Sequence, residues 1–126
     1  NREIPADIVY ESENVLAFKD IRPQAPVHIL IIPKTEIPKV TDIKGKEHAE
    51  LLGEMFDAAN KIARDLGIAE DGFRLVFNCG NNGGQEVYHL HMHLLGGRKM
   101  NWPPGWFQKI NFRVFRTNWK RMGQVS

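Results

Sequence analysis

His89, His91 and His93 stand at i, i+2 and i+4 in the run Gln85 to Leu95, and they are three of the five histidines in the chain. Leu90, Met92 and Leu94 alternate with them. Strict alternation is the pattern of a half-buried strand, because successive side chains of a strand point to opposite faces. In a strand the imidazoles share one face at spacings of ~6.6–6.8 Å, and the apolar residues line the other, toward a core. An imidazole near neutral pH serves as acid, base, nucleophile or metal ligand.

Several readings of such a cluster compete. It is a set of histidines without a task, or a metal site, since His-x-His is a frequent ligand spacing and neutral imidazole binds zinc. It is a general acid–base pair, or a nucleophilic site in which one imidazole attacks and its neighbours stabilise charge. Glu86 is the one carboxylate adjoining the run to complete a metal shell. The turn Gly83-Gly84-Gln85 just before the run favours the nucleophilic reading. Glycines there let backbone N–H groups converge on an anion, as in the nests that bind phosphate. Phosphate beside imidazoles points to phosphoryl or nucleotidyl transfer, with a phosphoramidate on a histidine nitrogen that water then hydrolyses.

The elements that must position this run can be read on either side of it. Asp7 to Tyr10 and Asn14 to Lys19 have the pattern of two short strands joined by a turn at Glu11-Ser12-Glu13. Asp20 to Pro26 is a loop, because its prolines remove donors and restrict the residues before them. Val27 to Ile32 is a β-branched run predicted to be a strand buried on both faces, ended by Pro33. Lys44 to Leu66 is the one long helix, with Leu51, Leu52, Met55, Phe56, Ala59, Ile62, Ala63 and Leu66 as its apolar stripe. Phe73 to Asn78 alternates as another strand, and Lys109 to Arg116 alternates weakly. About five strands with short links and one helix predict an antiparallel sheet and an α+β class.

With 126 residues, the chain is the size of a single domain. Its longest apolar runs are too short to span a bilayer, and no secretory n-region and h-region open it. Cys79 is the single cysteine, which excludes an internal disulfide. A reducing, cytoplasmic setting is the expectation. Residues 1–106 carry 12 Lys and Arg against 15 Asp and Glu, a net −3, whereas residues 107–126 carry five basic residues and no acid. An acidic body with a basic tail does not make a nucleic-acid-binding surface.

The run Gly84-Gln85-x-Val87-x-His89-Leu90-His91-Met92-His93-Leu94-Leu95 resembles the signature of the histidine triad (HIT) family. Five further blocks resemble its Hint branch, the histidine triad nucleotide-binding proteins. They are Asp20-Ile21-x-Pro23-Gln24-Ala25-Pro26-x-His28, Ile32-Pro33-Lys34, Asn78, Leu95-Gly96-Gly97-Arg98 and Trp102-Pro103-Pro104-Gly105. The resemblance covers residues 1–105 and implies a HIT-like fold. It implies a homodimer too, whose two five-stranded sheets join into a ten-stranded one, with Phe73 to Asn78 pairing across the axis. It implies hydrolysis of purine nucleoside phosphoramidates and aminoacyl-adenylates through a covalent nucleotide on His91, with no metal and no cofactor. The runner-up is hydrolysis of dinucleoside polyphosphates, and a nucleotide-binding module without turnover is a further alternative. The expected partners are a purine nucleotide and a second copy of the chain, with no membrane and no specific nucleic acid.

The resemblance also implies roles. His91 is the nucleophile. His93 stabilises phosphate oxygens or helps protonate the leaving amine, His28 supports the others from a neighbouring strand, and His89 contributes through its backbone. Asp20 accepts the ribose hydroxyls, and Phe18 and Ile21 pack on the purine. Asn78 lies near ribose or phosphate. Gly84, Gln85, Glu86 and Val87 make the phosphate turn, with the N–H groups of Glu86 and Val87 trusted above the Glu86 carboxylate, which would repel an anion. Trp102 reaches the partner's site. His48 is expected to be solvated and idle. Residues 106–126 form a basic, aromatic extension packed on or beside the domain.

Overall fold

A computed structural model describes residues 7–105. The expected tail and the weak Lys109 to Arg116 strand lie outside the described residues. Five strands make one sheet, namely β1 (Ile8–Glu11), β2 (Val15–Lys19), β3 (Val27–Pro33), β4 (Phe73–Val76) and β5 (Met92–Gly96). Their order is β1-β2-β3-β5-β4, and every neighbouring pair is antiparallel. The α+β expectation holds, with the ends of the first four strands displaced by at most two residues.

Among the described residues one α-helix, α1 (Ala49–Asp65), covers one face of the sheet. Its Met55, Ala58, Ala59, Ile62 and Ala63 are buried in one cluster with Val15, Ala17, Ile29, Ile31, Met92 and Leu94. Each fully buried Ile, Leu or Met contributes about 1.5–3 kcal/mol of transfer free energy, so this layer holds the sheet flat against the helix. The stripe is narrower than expected, because Phe56 and Leu66 are exposed. The helix also begins at Ala49 rather than Lys44. Lys44 gives its N–H to His48 Nδ1 at 2.9 Å while His48 N–H bonds Lys44 O at 2.8 Å, which closes a separate turn ahead of the helix. His48 is therefore a half-buried turn-closing group, not an idle solvated one.

The opposite face of the sheet carries the chemistry. Register places His28, Leu30 and Ile32 of β3 on it, with His93 and Leu95 of β5. On this face only His28 is buried and Leu30 and Ile32 are half-buried, so β3 is covered from Ile29 to Pro33 on its helix side but only in part on the other, against the expectation of burial on both faces. No helix among the described residues is long and apolar enough to cross a membrane.

The expected histidine strand is the main difference. Only Met92–Gly96 pairs as a strand, and residues 85–91 run irregularly ahead of it. The cause lies in Pro33. Continuing the Ile31↔Met92 register would bring Pro33 opposite Leu90. Lys34 N–H bonds Asn14 O on the β2 side, so by alternation Pro33 faces β5, where it has no N–H to give. The chain instead docks on the segment after β3, with Leu90 N–H donating to Ile37 O at 2.7 Å. Alternation survives this change. Leu90, Met92 and Leu94 are buried at 0–1% exposure, and the three histidines between them are half-buried.

Candidate active site

Four imidazoles gather near the β3–β5 junction, and backbone groups determine where three of them carry their protons. Gln24 donates its N–H to His28 Nδ1 at 3.0 Å. An accepting Nδ1 leaves the proton of neutral His28 on Nε2. That nitrogen stands 2.9 Å from His93 Nδ1 and 3.4 Å from Asp20 Oδ2. The nearer atom takes the bond, so His93 accepts at Nδ1 and carries its own proton on Nε2. His93 Nε2 is buried and finds no partner among the described residues. A buried donor without a partner costs about 1–3 kcal/mol, a cost that a ligand oxygen at this point would relieve.

His91 is set differently. Its Nδ1 lies 2.7 Å from His89 O, and a carbonyl can only accept, so Nδ1 is protonated. The lone pair of neutral His91 is then on Nε2. The His91 and His93 rings meet edge to face with centroids 5.0 Å apart, and those of His93 and His28 are 5.2 Å apart. His89 does not join this row, because its Nε2 donates to Pro33 O at 2.7 Å. The three triad imidazoles thus differ in their hydrogen bonding, in keeping with the different roles expected of them, and His89 stands apart from the shared face that a regular strand would give.

Burial disfavours a charge here. It lowers the pKa of His93 to about 4, with His91 and His28 pushing the same way and Asp20 opposing them. Burial also lowers that of His28, again against Asp20. Both rings are neutral at neutral pH, and the Asp20–His28 approach is a contact of an anion with a neutral N–H.

The turn before the run is closed by Gln85. Gly84 has a φ of +79°, which a side chain would strain, and Gly84 N–H bonds Asn81 O at 3.0 Å. Gln85 N–H returns to Gly80 O at 3.0 Å, while Gly80 N–H donates to Gln85 Oε1 at 2.9 Å. The Gln85 Nε2 group donates to Pro38 O at 2.8 Å and Val87 O at 3.1 Å. Its buried amide therefore faces inward and braces three segments.

Of the other expected site residues, Asp20 keeps Oδ1 on Arg22 N–H at 2.7 Å and turns Oδ2 toward His28. Phe18 pairs with Leu30, which pairs with His93, so all three share the active face. Ile21 is 92% exposed, Val87 64% and Trp102 70%, open to a ligand or a partner. Glu86 is exposed, and Asn78 is half-buried just beyond β4.

Asp20, His28 and His93 offer donor atoms within 4.8 Å of one another. Two imidazoles and a carboxylate are a donor set that zinc accepts. A cation bound by both His28 Nε2 and His93 Nδ1 would have to displace the proton shared between them, so the hydrogen-bond chain fits these residues better than an ion does. Residues that sequence reading left without a role also matter here, namely Gln24 through its N–H and Arg98 through its guanidinium. Both stand in the blocks that resembled Hint proteins, which was the one available signal.

Comparison with known proteins bears on this arrangement. The HIT domain family model matches residues 1–100. A purine nucleoside phosphoramidase of Escherichia coli (strain K12) is 61% identical over 99 residues, 79% of this chain and 82% of that protein. A 14 kDa zinc-binding protein of Zea mays is 55% identical over 105 residues, 82% of this chain and 81% of that protein. The crystal structure of a HIT family hydrolase from Legionella pneumophila Philadelphia 1 superposes with a TM-score of 0.78 at 56% identity, covering 81% of this chain and 90% of that one.

Proposed function

The chain belongs to the HIT domain family, and we propose that it is a purine nucleoside phosphoramidase acting through a covalent nucleotide on His91. The observation that carries this reading is the His91 Nδ1···His89 O bond of 2.7 Å, which leaves the Nε2 lone pair free to attack. The likeness to the Escherichia coli phosphoramidase supports the substrate class.

In the first step His91 Nε2 forms a bond to phosphorus, and the P–N bond to the leaving amine breaks. The departing nitrogen keeps the electron pair and takes a proton from solvent. Neutral imidazole is the competent form for this attack. His93 Nε2–H binds a non-bridging phosphate oxygen, and the N–H groups of Glu86 and Val87 bind others, where charge develops. In the second step water adds to phosphorus, the P–Nε2 bond breaks with its pair returning to His91, and the proton of the water goes to solvent. The product is a nucleoside monophosphate. An aminoacyl-adenylate reacts in the same way with a carboxylate as leaving group.

Asp20 Oδ2 receives the ribose hydroxyls, and Phe18 and Ile21 hold the purine. The functional unit is a homodimer in which β4 pairs with its copy and Trp102 of one chain reaches the other's site. The place of β4 at the edge of the sheet among the described residues and the exposure of Trp102 support this. Mass spectrometry of protein quenched during turnover of an adenosine phosphoramidate tests the reading. An AMP adduct is expected on wild type and none on His91→Ala, which should release essentially no AMP. Near-normal turnover by His91→Ala would overturn it.

A further inference from the structure

The loop between β2 and β3 is held at several points. Asp20 N–H bonds His28 O at 2.9 Å and closes its neck. At its crown Gln24 gives its N–H to His28 Nδ1. Gln24 O, in turn, accepts from Arg98, with Nη2 at 3.0 Å and Nε at 3.3 Å. Two donors of one planar guanidinium on one carbonyl leave that carbonyl little freedom. Arg98 is steadied by a further bond from Nη1 to Lys99 O at 3.0 Å. Beside it, Gly97 has a φ of +89°, and a Cβ there would lie 2.9 Å from Pro26 Cβ. The two residues that follow β5 therefore grip the loop independently, one by packing and one by hydrogen bonds.

Without the Gln24 N–H, the one remaining group that favours the His28 proton on Nε2 is the Asp20 carboxylate, whose Oδ2 stands off at 3.4 Å while Oδ1 is held by Arg22 N–H. A His28 protonated at Nδ1 would present a lone pair to the His93 Nδ1 lone pair at 2.9 Å, and His93 would turn its own proton inward to Nδ1. His93 Nε2 would then face the phosphate as an acceptor, which an anion repels.

We propose that Arg98 is a positioning residue for the reaction: by holding Gln24 it sets the His28 tautomer, and through it makes His93 Nε2–H a donor to the transferring phosphate. This rests on the phosphoramidase reading only for its catalytic consequence. The tautomer itself is independent of any substrate. Arg98 is exposed and lies outside the triad, so its replacement removes the latch without opening the core.

The test is nitrogen-15 NMR of the imidazoles in the full chain, together with turnover of an adenosine phosphoramidate. Wild type is expected to show His28 protonated at Nε2 and unprotonated at Nδ1. Arg98→Met should mix the two His28 tautomers and lower kcat about tenfold, with a smaller change in KM, as expected for a misplaced group acting in the transition state. Arg98→Lys, which can still donate to Gln24 O, should restore most of both readings. A purely structural role would lower thermal stability and leave the tautomer of the folded protein as in wild type. Wild-type His28 protonated at Nδ1, or an unchanged tautomer and kcat in Arg98→Met, overturns the proposal. Absence of phosphoramidate turnover in wild type overturns the function and leaves the tautomer measurement standing. Should Arg98→Met fail to fold, Gln24→Pro, which deletes the N–H itself, gives the same reading, and an unchanged tautomer there is equally fatal.

Discussion

His28 Nε2 lies 2.9 Å from His93 Nδ1, across 65 residues of sequence. The two rings sit on adjacent strands and on the face away from α1. One proton occupies the space between them, and its direction is imposed from the Gln24 backbone. His93 is therefore oriented by a neighbour that has no need to touch substrate.

Replacing His28 with Ala should remove that orientation while leaving His91 and its bond to His89 O intact. Turnover of an adenosine phosphoramidate is expected to fall roughly 10- to 100-fold, by analogy with the loss of groups that orient metal-ligating histidines. The loss should be smaller than that of His91→Ala under the same assay. Steady-state kinetics of the two variants side by side checks the order, and equal losses would mean that His28 acts directly.

Stability should depend on pH in the acid range. His28 and His93 both have folded pKa values below 6.5, His93 at about 4. Between about pH 6.5 and about pH 4 the unfolded chain binds more protons than the folded one, so stability rises with pH across that window and is level above it. Thermal melts are expected to show Tm falling as the pH drops below 6.5, with a shallower fall in His93→Gln. A Tm that rises on acidification would contradict neutral, buried rings.

Gln85→Ala should injure both the fold and the turn. It strands Gly80 N–H and the carbonyls of Pro38 and Val87, each costing about 1–3 kcal/mol where burial keeps water out. Urea unfolding should report a destabilisation of that order. The KM of the remaining folded protein should rise, because the backbone that meets the phosphate is no longer braced. Unchanged KM and stability would mean that the Gln85 amide is dispensable.

Dialysis against a chelator should leave phosphoramidate turnover unchanged. The motivation is the bond between His28 and His93, which already uses His28 Nε2, the one nitrogen of that ring not taken by Gln24 N–H. Activity lost on chelation and regained with zinc would show that Asp20, His28 and His93 hold an ion in the working protein.

The linear order of residues determined the composition of this site and which side of the chain faces the core. Alternation of histidine with Leu90, Met92 and Leu94 was legible because it depends on local backbone geometry, and their burial bears it out. The helical stripe was legible for the same reason, apart from Phe56 and Leu66 at its margins. What each imidazole does was decided by the tertiary structure. Strand length depended on Pro33, whose missing N–H matters only once β3 lies beside β5. The proton positions on His28, His89 and His91 depended on Gln24 N–H, Pro33 O and His89 O, and that on His93 on His28 itself. The latch from Arg98 to Gln24 spans 74 residues of sequence. A tautomer is set by the one donor or acceptor that arrives within about 3 Å; for His28 and His91 that group lies four and two residues away, but for His89 and His93 it comes from β3, 56 and 65 residues distant, and only folding brings it there.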